Sequence, residues 1–127
     1  MSDAVWIDGE WRSGNGPKFQ NHCPATGDMV WESASANAGD VTAAVESARR
    51  AFHDWSRTPQ SERTAILEAY ADEIGKRTDA IAEVISRDMG KALWESRGEA
   101  ATMKAKVAVS IAAQVERAGG KAQEAAF

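Results

Sequence analysis

The apolar residues change their spacing near Asn37, and this change constrains the fold more than any other feature of the chain. Before it, short segments rich in Trp, Val and Ile are separated by Gly- and Pro-containing turns, a pattern typical of β-hairpins. After it, apolar residues recur every three or four positions, which is the period of an amphipathic helix. The sequence therefore predicts short β-hairpins followed by about three amphipathic α-helices, an α/β arrangement.

Two turns indicate where the strands pair. Asp8-Gly9 supplies the positive φ angles of a type I′ turn between the strand-like segments 5–7 and 10–12. Residues 18–22 and 29–33 are predicted to be extended on either side of a second turn at 24–28. Three of the five tryptophans lie in these segments, and we expect them to pack the sheet: Trp6, Trp11 and Trp31.

The first two helices are predicted from caps and breaks. Asp40 is expected to cap the first helix, whose apolar stripe is Val41, Val45, Ala48, Phe52 and Trp55. Thr58 is expected to cap the second helix, with Pro59 in its first turn. The segment 75–79 should break or kink this helix, which then continues to Gly90.

The last helix is predicted from about Leu93 to the Gly pair at 119–120. Its apolar stripe is Ala100, Met103, Val107, Ile111 and Val115. The tail 121–127 has no usable pattern, and its order is left open. Because each helix has one apolar face and the strands are few and short, the strands cannot cover every face. The chain is therefore expected to continue, or to pair with another copy or another protein.

Composition excludes several classes of function. The chain is 43% hydrophobic and 27% charged, which is ordinary for a soluble globular protein and argues against disorder. The net charge of -4 and the scattered Lys and Arg give no basic surface for nucleic acid. No apolar run approaches the ~20 residues that span a membrane, and the start does not resemble a signal peptide. A single Cys excludes an internal disulfide and is compatible with the cytoplasm.

Few residues carry chemistry on their own. Cys23 is the obvious nucleophile candidate, but its strand-to-turn setting between His22 and Pro24 favours an ordinary turn or core cysteine. His22 and His53 lie in different elements without the spacing of a zinc site, so no metal is expected. The sequence thus contains no assignable catalytic or metal-binding residue.

Two further patterns could indicate binding or catalytic sites, but each is better explained without a ligand. Glu95 and Glu99 share a helix face, which fits a paired acid, but Lys91 and Arg97 nearby favour a solvated surface. Gly90-Lys91 lacks the preceding glycine of a phosphate-binding loop, and no G-x-G-x-x-G occurs. No cofactor-binding residue is assignable either.

Several segments, in order, resemble the opening of the aldehyde dehydrogenase superfamily. Residues 6–11 are similar to its first strands, and Cys23–Asp28 resembles its Asn-Pro-Ala-Thr-Gly-Glu turn with Cys23 in place of Asn. Residues 44–55 and 62–74 are similar to its first two helices. Met89–Ala92, followed by Glu95 and Glu99, resembles its Thr-Gly-Lys-Pro turn, with Ala92 in place of Pro. The resemblance covers residues 5 to about 118.

The resemblance implies the N-terminal, incomplete part of an NAD- or NADP-binding domain with a Rossmann-like fold, extending over 1–127. The family's reaction implies a cysteine that attacks the aldehyde, hydride transfer to NAD or NADP, and a glutamate-activated water that hydrolyses the thioester. Those residues lie downstream of the matched region, and Cys23 does not align with the nucleophile. The resemblance therefore implies that this chain alone is inactive and that the rest of an oligomeric enzyme is its partner.

Within the superfamily, residues 91–96 and 106–111 are most similar to the succinylglutamate semialdehyde dehydrogenases of arginine breakdown. Succinate-semialdehyde dehydrogenases are the nearest rival. This implies a semialdehyde that is oxidised to a carboxylate.

The resemblance also singles out Met103, twelve residues after Lys91, where the family's helix borders the substrate entrance. The alternative is that Met103 belongs to the apolar core stripe of its helix. Lys104 and Lys106 are able to attract an acidic substrate, although a solvated face is favoured. Two other functions stay open, namely a structural or interaction module that self-associates through its uncovered helix faces, and one half of a split enzyme.

Overall fold

The computed structural model describes residues 4–118. Within that range the chain forms two short hairpins followed by four helices. In chain order the elements are β1 (Val5–Ile7), β2 (Glu10–Arg12), β3 (Lys18–His22), β4 (Met29–Ala34), α1 (Ala38–Trp55), α2 (Gln60–Lys76), α3 (Thr78–Met89) and α4 (Leu93–Arg117). The predicted α/β arrangement is confirmed. The expected end of α4 at 119–120 and the tail 121–127 lie outside the described residues.

The first hairpin forms as its turn sequence predicts. Strands β1 and β2 are antiparallel, with Ile7 opposite Glu10. Asp8 and Gly9 have φ angles of 58° and 81°, so both take the left-handed conformation of a type I′ turn. The turn is tied to α1, because the Asp8 carboxylate accepts a hydrogen bond from Ser47 at 2.9 Å and pairs with Arg50 at 3.2 Å.

The second hairpin is a separate two-stranded sheet. Strands β3 and β4 are antiparallel, with Lys18 opposite Ala34 and an irregularity between Asn21 and His22. The side-chain amide of Asn21 donates to the carboxylate of Asp88 in α3. This contact fastens the hairpin to the helical part of the chain.

The strand tryptophans pack within their hairpins and remain accessible. Trp6 and Trp11 meet edge to face with ring centroids 5.2 Å apart, and Trp31 meets Phe19 at 5.8 Å. Trp6 is nevertheless 55% exposed and Trp11 61% exposed. The prediction that they pack the sheet holds for these pairs, but nothing in residues 4–118 covers their outer surfaces.

Helix α1 begins differently from the prediction. Asn37, and not Asp40, is the cap: its side-chain oxygen accepts from the Asp40 amide at 3.0 Å. The Asp40 carboxylate reaches back to the Asn37 amide at 2.9 Å, which completes a capping box. The same carboxylate accepts from the amide and side chain of Asn15, so it also secures the preceding loop. The sequence rule placed the cap three residues late because Asp is itself a common cap residue.

Helix α2 also starts later than predicted. Pro59 occupies the cap position without a side-chain cap, and the helix begins at Gln60. The Thr58 hydroxyl donates to the carbonyl of Asp54 at 3.2 Å, so Thr58 satisfies the end of α1 and does not cap α2.

The predicted break at 75–79 produces two helices, so the described residues contain four helices and not about three. Arg77 leaves the helical conformation, with φ of -113° and ψ of 13°. The Thr78 hydroxyl donates to the carbonyls of Ile74 and Gly75, near the end of α2.

Helix α3 ends at Gly90 as predicted, in the left-handed conformation with φ of 62°. Helix α4 then starts at Leu93, as predicted. Ala92 holds a φ of -62°, the value that proline would impose, so the Ala that departs from the family pattern leaves the start of this helix unchanged.

The helices share a small core. Helix α4 packs against α2 and α3. The fully covered positions there are small: Ala82, Ser96 and Ala100 are each 0% exposed. Ile74 from α2, at 6% exposed, is the larger apolar residue of this core. Small residues at the contact let the helix axes approach closely.

Most of the apolar stripes face outward, as the sequence analysis expected. Val45 and Phe52 of α1 are 46% and 66% exposed, and Val115 of α4 is 71% exposed. The exposed apolar faces of the described helices therefore call for a further surface that packs against them. None of these helices is long and apolar enough to cross a membrane.

Replacing the capping carboxylate should give a pH-dependent loss of stability. Hydrogen bonds from the backbone of Asn37 and Asn15 lower the pKa of Asp40 below its ordinary 3.8. Its contribution to folding is therefore fully present above pH 3.8 and disappears as the pH falls through the lowered value. Asp40→Asn should lower the free energy of unfolding at neutral pH, and the difference from the parent chain should shrink in acid. Urea unfolding at several pH values measures this.

The control for this variant is Glu83→Gln, which removes one exposed carboxylate of α3 with no hydrogen bond among residues 4–118. It should leave stability within ~0.5 kcal/mol of the parent chain. An Asp40→Asn deficit that is constant at every pH would contradict the assignment.

Two glycine substitutions should move stability in opposite directions. An alanine at Gly90 must hold a φ of 62°, and its Cβ would lie 2.8 Å from the backbone nitrogen of Ala25. The strained conformation alone costs about 1–2 kcal/mol. At Gly98, inside α4, a Cβ meets nothing within 4 Å, so Gly98→Ala should add about 0.5–1 kcal/mol. Thermal unfolding distinguishes the two, and equal effects would disprove the tight contact at Gly90.

Candidate functional site

Met103 lines a groove between α2 and α4. Its walls are Leu67 and Tyr70 from α2 and Met103 and Val107 from α4, with Ile74 beneath. The groove encloses about 370 Å³. We call it the Met103 groove. Met103 is 42% exposed, so it is neither a buried core residue nor free in solvent.

A few polar groups accompany the apolar lining of the Met103 groove. Lys106 and Ser110 line the groove itself. Arg77 and Glu73, 3.6 Å apart, line an adjoining pocket that shares Tyr70 and Met103 with the groove. An apolar groove with a few polar groups is able to hold a small organic molecule once a further wall closes it.

The two lysines beside Met103 point to different surfaces. Lys106 lines the Met103 groove, whereas Lys104 lies on the other side of the α2–α4 contact, 3.8 Å from Asp72. Both lysines are exposed, in agreement with the predicted solvated face.

Cys23 sits in the turn that joins β3 to β4, as predicted, and it is 9% exposed. Its amide donates to the carbonyl of Asp28, and its carbonyl accepts from Gly27. Hydrogen bonds from the Thr26 hydroxyl and the amides of Ala25 and Thr26 lower the pKa of the thiol. No histidine or cation contacts the sulfur among the described residues, so the turn supplies no general base.

The other candidate side chains are separated. The His53 ring lies beside Asp54 and Arg57 at the exposed end of α1, far in sequence from His22 in β3. Across residues 4–118, His, Cys, Asp and Glu nowhere form a group of three able to hold a metal ion. Glu99 is paired with Lys91, which fits the predicted solvated face.

Residues 4–118 do not fit the phosphates of a dinucleotide. Anions bind at helix N-termini, but each of the four helices carries an acidic residue in its first turn: Asp40, Glu62, Asp79 and Glu95. The Asp40 carboxylate already occupies the end of α1. Side chains at Gly14 or Gly16 would collide with the Ser35 backbone, so these glycines serve chain packing and not a phosphate.

The Met103 groove brings together residues that the sequence analysis did not place near one another. Tyr70 and Ile74 belong to α2 and Met103 belongs to α4, and the fold places them around one groove. The apolar spacing of each helix by itself does not show that these two helices touch. No sequence pattern predicted that Ser110 lines this groove or that Arg77 lines the adjoining pocket.

The chain matches known proteins along nearly its whole length. A model of the aldehyde dehydrogenase family matches residues 11–126. The N-succinylglutamate 5-semialdehyde dehydrogenase of Paraburkholderia xenovorans is 50% identical over 117 residues, which is 92% of this chain and 24% of that protein. The protein of the same name from Caulobacter sp. strain K31 is 44% identical over 127 residues, covering 100% of this chain and 26% of that protein.

The fold is matched as well. An NAD-dependent benzaldehyde dehydrogenase from Corynebacterium glutamicum superposes with a TM-score of 0.87 at 25% identity, over 98% of this chain and 28% of that one. The chain thus spans about a quarter of the length of the relatives it matches. On the match over residues 11–126, the chain belongs to the aldehyde dehydrogenase family.

Proposed function

We propose that this chain is the N-terminal part of an NAD- or NADP-dependent aldehyde dehydrogenase that oxidises a semialdehyde to a carboxylate. The observation that carries the proposal is the match of residues 11–126 to the family. The relatives at 50% and 44% identity are named for N-succinylglutamate 5-semialdehyde, and we take this molecule, from arginine breakdown, as the substrate. Solved relatives of the same fold are described as NAD- and NADP-dependent.

In this proposal the chain supplies scaffold and not chemistry. The described residues contain neither an activated thiol with a base nor a fit for the cofactor phosphates. The nucleophile, the general base and the cofactor loops then belong to polypeptide beyond the region matched here. On this proposal, residues 4–118 by themselves supply no catalytic residue.

The remainder of the enzyme is the proposed partner because the uncovered apolar faces lie on different elements. Phe52 belongs to α1, Val84 to α3 and Val115 to α4, and each is more than half exposed. A standard interface with one partner covers about 800 Å² of each surface, too little for faces on several elements. A polypeptide that wraps around the helices covers them all. A homo-oligomeric parent enzyme in the cytoplasm completes the proposal.

Met103 is the one residue of this chain that we place near substrate. The Met103 groove is open on one side, and a second wall from the remainder of the enzyme would turn it into a channel. Lys106, which lines the groove, offers positive charge to an acidic aldehyde.

The isolated chain should oxidise no aldehyde. Incubation with NAD or NADP and succinate semialdehyde should give no sustained formation of NADH or NADPH by absorbance, because residues 4–118 place no general base beside the thiol of Cys23. Cys23→Ala serves as the control. Turnover that the parent chain shows and Cys23→Ala lacks would contradict the proposal.

Activity should appear when the chain is joined to the downstream part of the Caulobacter relative, which matches over this chain's full length. The fusion should oxidise a semialdehyde, whereas a fusion whose downstream nucleophile is removed should not. Mixing the two parts as separate polypeptides tests the split-enzyme alternative. A folded fusion that binds cofactor and oxidises no aldehyde would contradict the proposal.

In the active fusion, Met103→Trp should narrow the substrate channel. KM for a long acidic aldehyde should rise about tenfold, while kcat changes little because Met103 touches no reacting atom. Val109→Trp is the matched control, since Val109 is on the same helix, 56% exposed, and does not line the Met103 groove. Equal effects of the two variants would remove Met103 from the substrate path.

A further inference from the structure

Asn15 is followed directly by Gly16, and it is the one asparagine of the chain with a glycine after it. An asparagine in such a pair is open to deamidation, because glycine has no side chain that obstructs the approach of its backbone nitrogen to the asparagine side chain. The other two asparagines precede residues whose side chains hinder this approach, namely His22 and Ala38. Asn15 is exposed, so water reaches it.

The fold engages both reacting groups of this pair. The side-chain amide of Asn15 donates a hydrogen bond to the Asp40 carboxylate at 2.6 Å. The backbone nitrogen of Gly16 donates to the carbonyl of Ser35 at 2.7 Å. Asp40 is 7% exposed, so the carboxylate that accepts from the amide is itself buried. The nitrogen that must attack and the amide that must leave are therefore both bound to other groups while the loop stays in place.

The structure needs both residues of this labile pair. A side chain at position 16 would place its Cβ 2.7 Å from the carbonyl oxygen of Ser35, which is too close for any residue but glycine. Asn15 gives Asp40 two hydrogen bonds, one from its backbone amide at 2.9 Å and one from its side chain. The contacts that require the pair are thus the same contacts that restrain its reaction.

We infer that Asn15 is a modification site that reacts only when its contact with Asp40 is lost. The Gly16 nitrogen, after releasing its proton, bonds to the side-chain carbonyl carbon of Asn15. The bond from that carbon to the amide nitrogen breaks, and this nitrogen takes up a proton and leaves as ammonia. Water then opens the cyclic imide at either carbonyl, which gives aspartate or isoaspartate. The net reaction consumes water and releases ammonia, and nothing is oxidised or reduced.

The product no longer fits the loop. A carboxylate at position 15 has no hydrogen to donate to Asp40, so two acidic groups face each other beside the start of α1. Isoaspartate also lengthens the main chain, which disturbs the hydrogen bond between Gly16 and Ser35. Because the Asp40 carboxylate also completes the capping box of α1, the modification loosens the loop and the helix start together.

Peptide mass spectrometry after incubation in mildly alkaline buffer measures the reaction at Asn15. The chain unfolded in urea should react about tenfold faster or more than the folded parent chain, the factor that one hydrogen bond to a charged group corresponds to. Folded Asp40→Ala, which frees the Asn15 amide, should also react faster than the folded parent. Asn15→Gln should nearly abolish the signal, because the longer side chain must close a larger ring.

Asp88→Ala is the matched control. It removes the carboxylate that accepts from the side-chain amide of Asn21, a contact of the same chemistry at an asparagine that precedes His22. Asn21 should stay unmodified in this variant. Circular dichroism verifies that each alanine variant folds, and the comparison of the parent chain with and without urea needs no substitution. Asn15→Asp represents the product and should unfold at a lower urea concentration than the parent.

Several results would overturn the inference. These are equal rates for the folded parent and the chain in urea, equal rates for the parent and folded Asp40→Ala, reaction of Asn21 in Asp88→Ala as fast as that of Asn15, or an Asn15→Asp variant as stable as the parent. The inference is independent of the proposed function, because the reaction involves only water and residues of this chain. An inactive fusion therefore leaves it untouched.

Discussion

The close contact of α4 with α2 and α3 is the constraint on which the helical part of the structure depends. Ala82, Ser96 and Ala100 are fully covered there, and any larger side chain would push the helices apart. This contact is achieved with small residues, so it fixes position while burying little apolar area. As a consequence, the larger apolar side chains remain exposed on the surface. Packing of this kind suits a chain that gains further stability when another polypeptide packs against its exposed apolar side chains.

The same packing explains why the candidate site is a groove and not an enclosed pocket. Two helices in contact leave a furrow on each side, and their side chains give each furrow its character. One furrow is lined by Tyr70, Met103 and Lys106, and the other is lined by alanines together with acidic and basic side chains. Both have a floor and two walls. Chemistry that needs exclusion of water requires a further wall, which residues 4–118 do not provide.

Local signals in the sequence succeeded where one residue type has one geometric use. Asp8-Gly9 correctly predicted the first hairpin, and Gly90 correctly predicted the end of α3, since few residues accept a positive φ. They failed where two residues compete for one role. Asn37 and Asp40 are both good caps, and only the capping box shows that each serves the other. Thr58 looked like the start of one helix and instead satisfies the end of another.

The sequence by itself determined the order of elements, the outward apolar faces and membership of the aldehyde dehydrogenase family, because periodicity, turn residues and motif order are local properties of the chain. Tertiary structure alone decided which faces meet. It brought Tyr70 and Ile74 to Met103, placed Lys104 and Lys106 on opposite sides of a helix contact, and set Asp72 level with Lys104. Those outcomes depend on the rotation and height of one helix against another, which the spacing of apolar residues leaves undetermined.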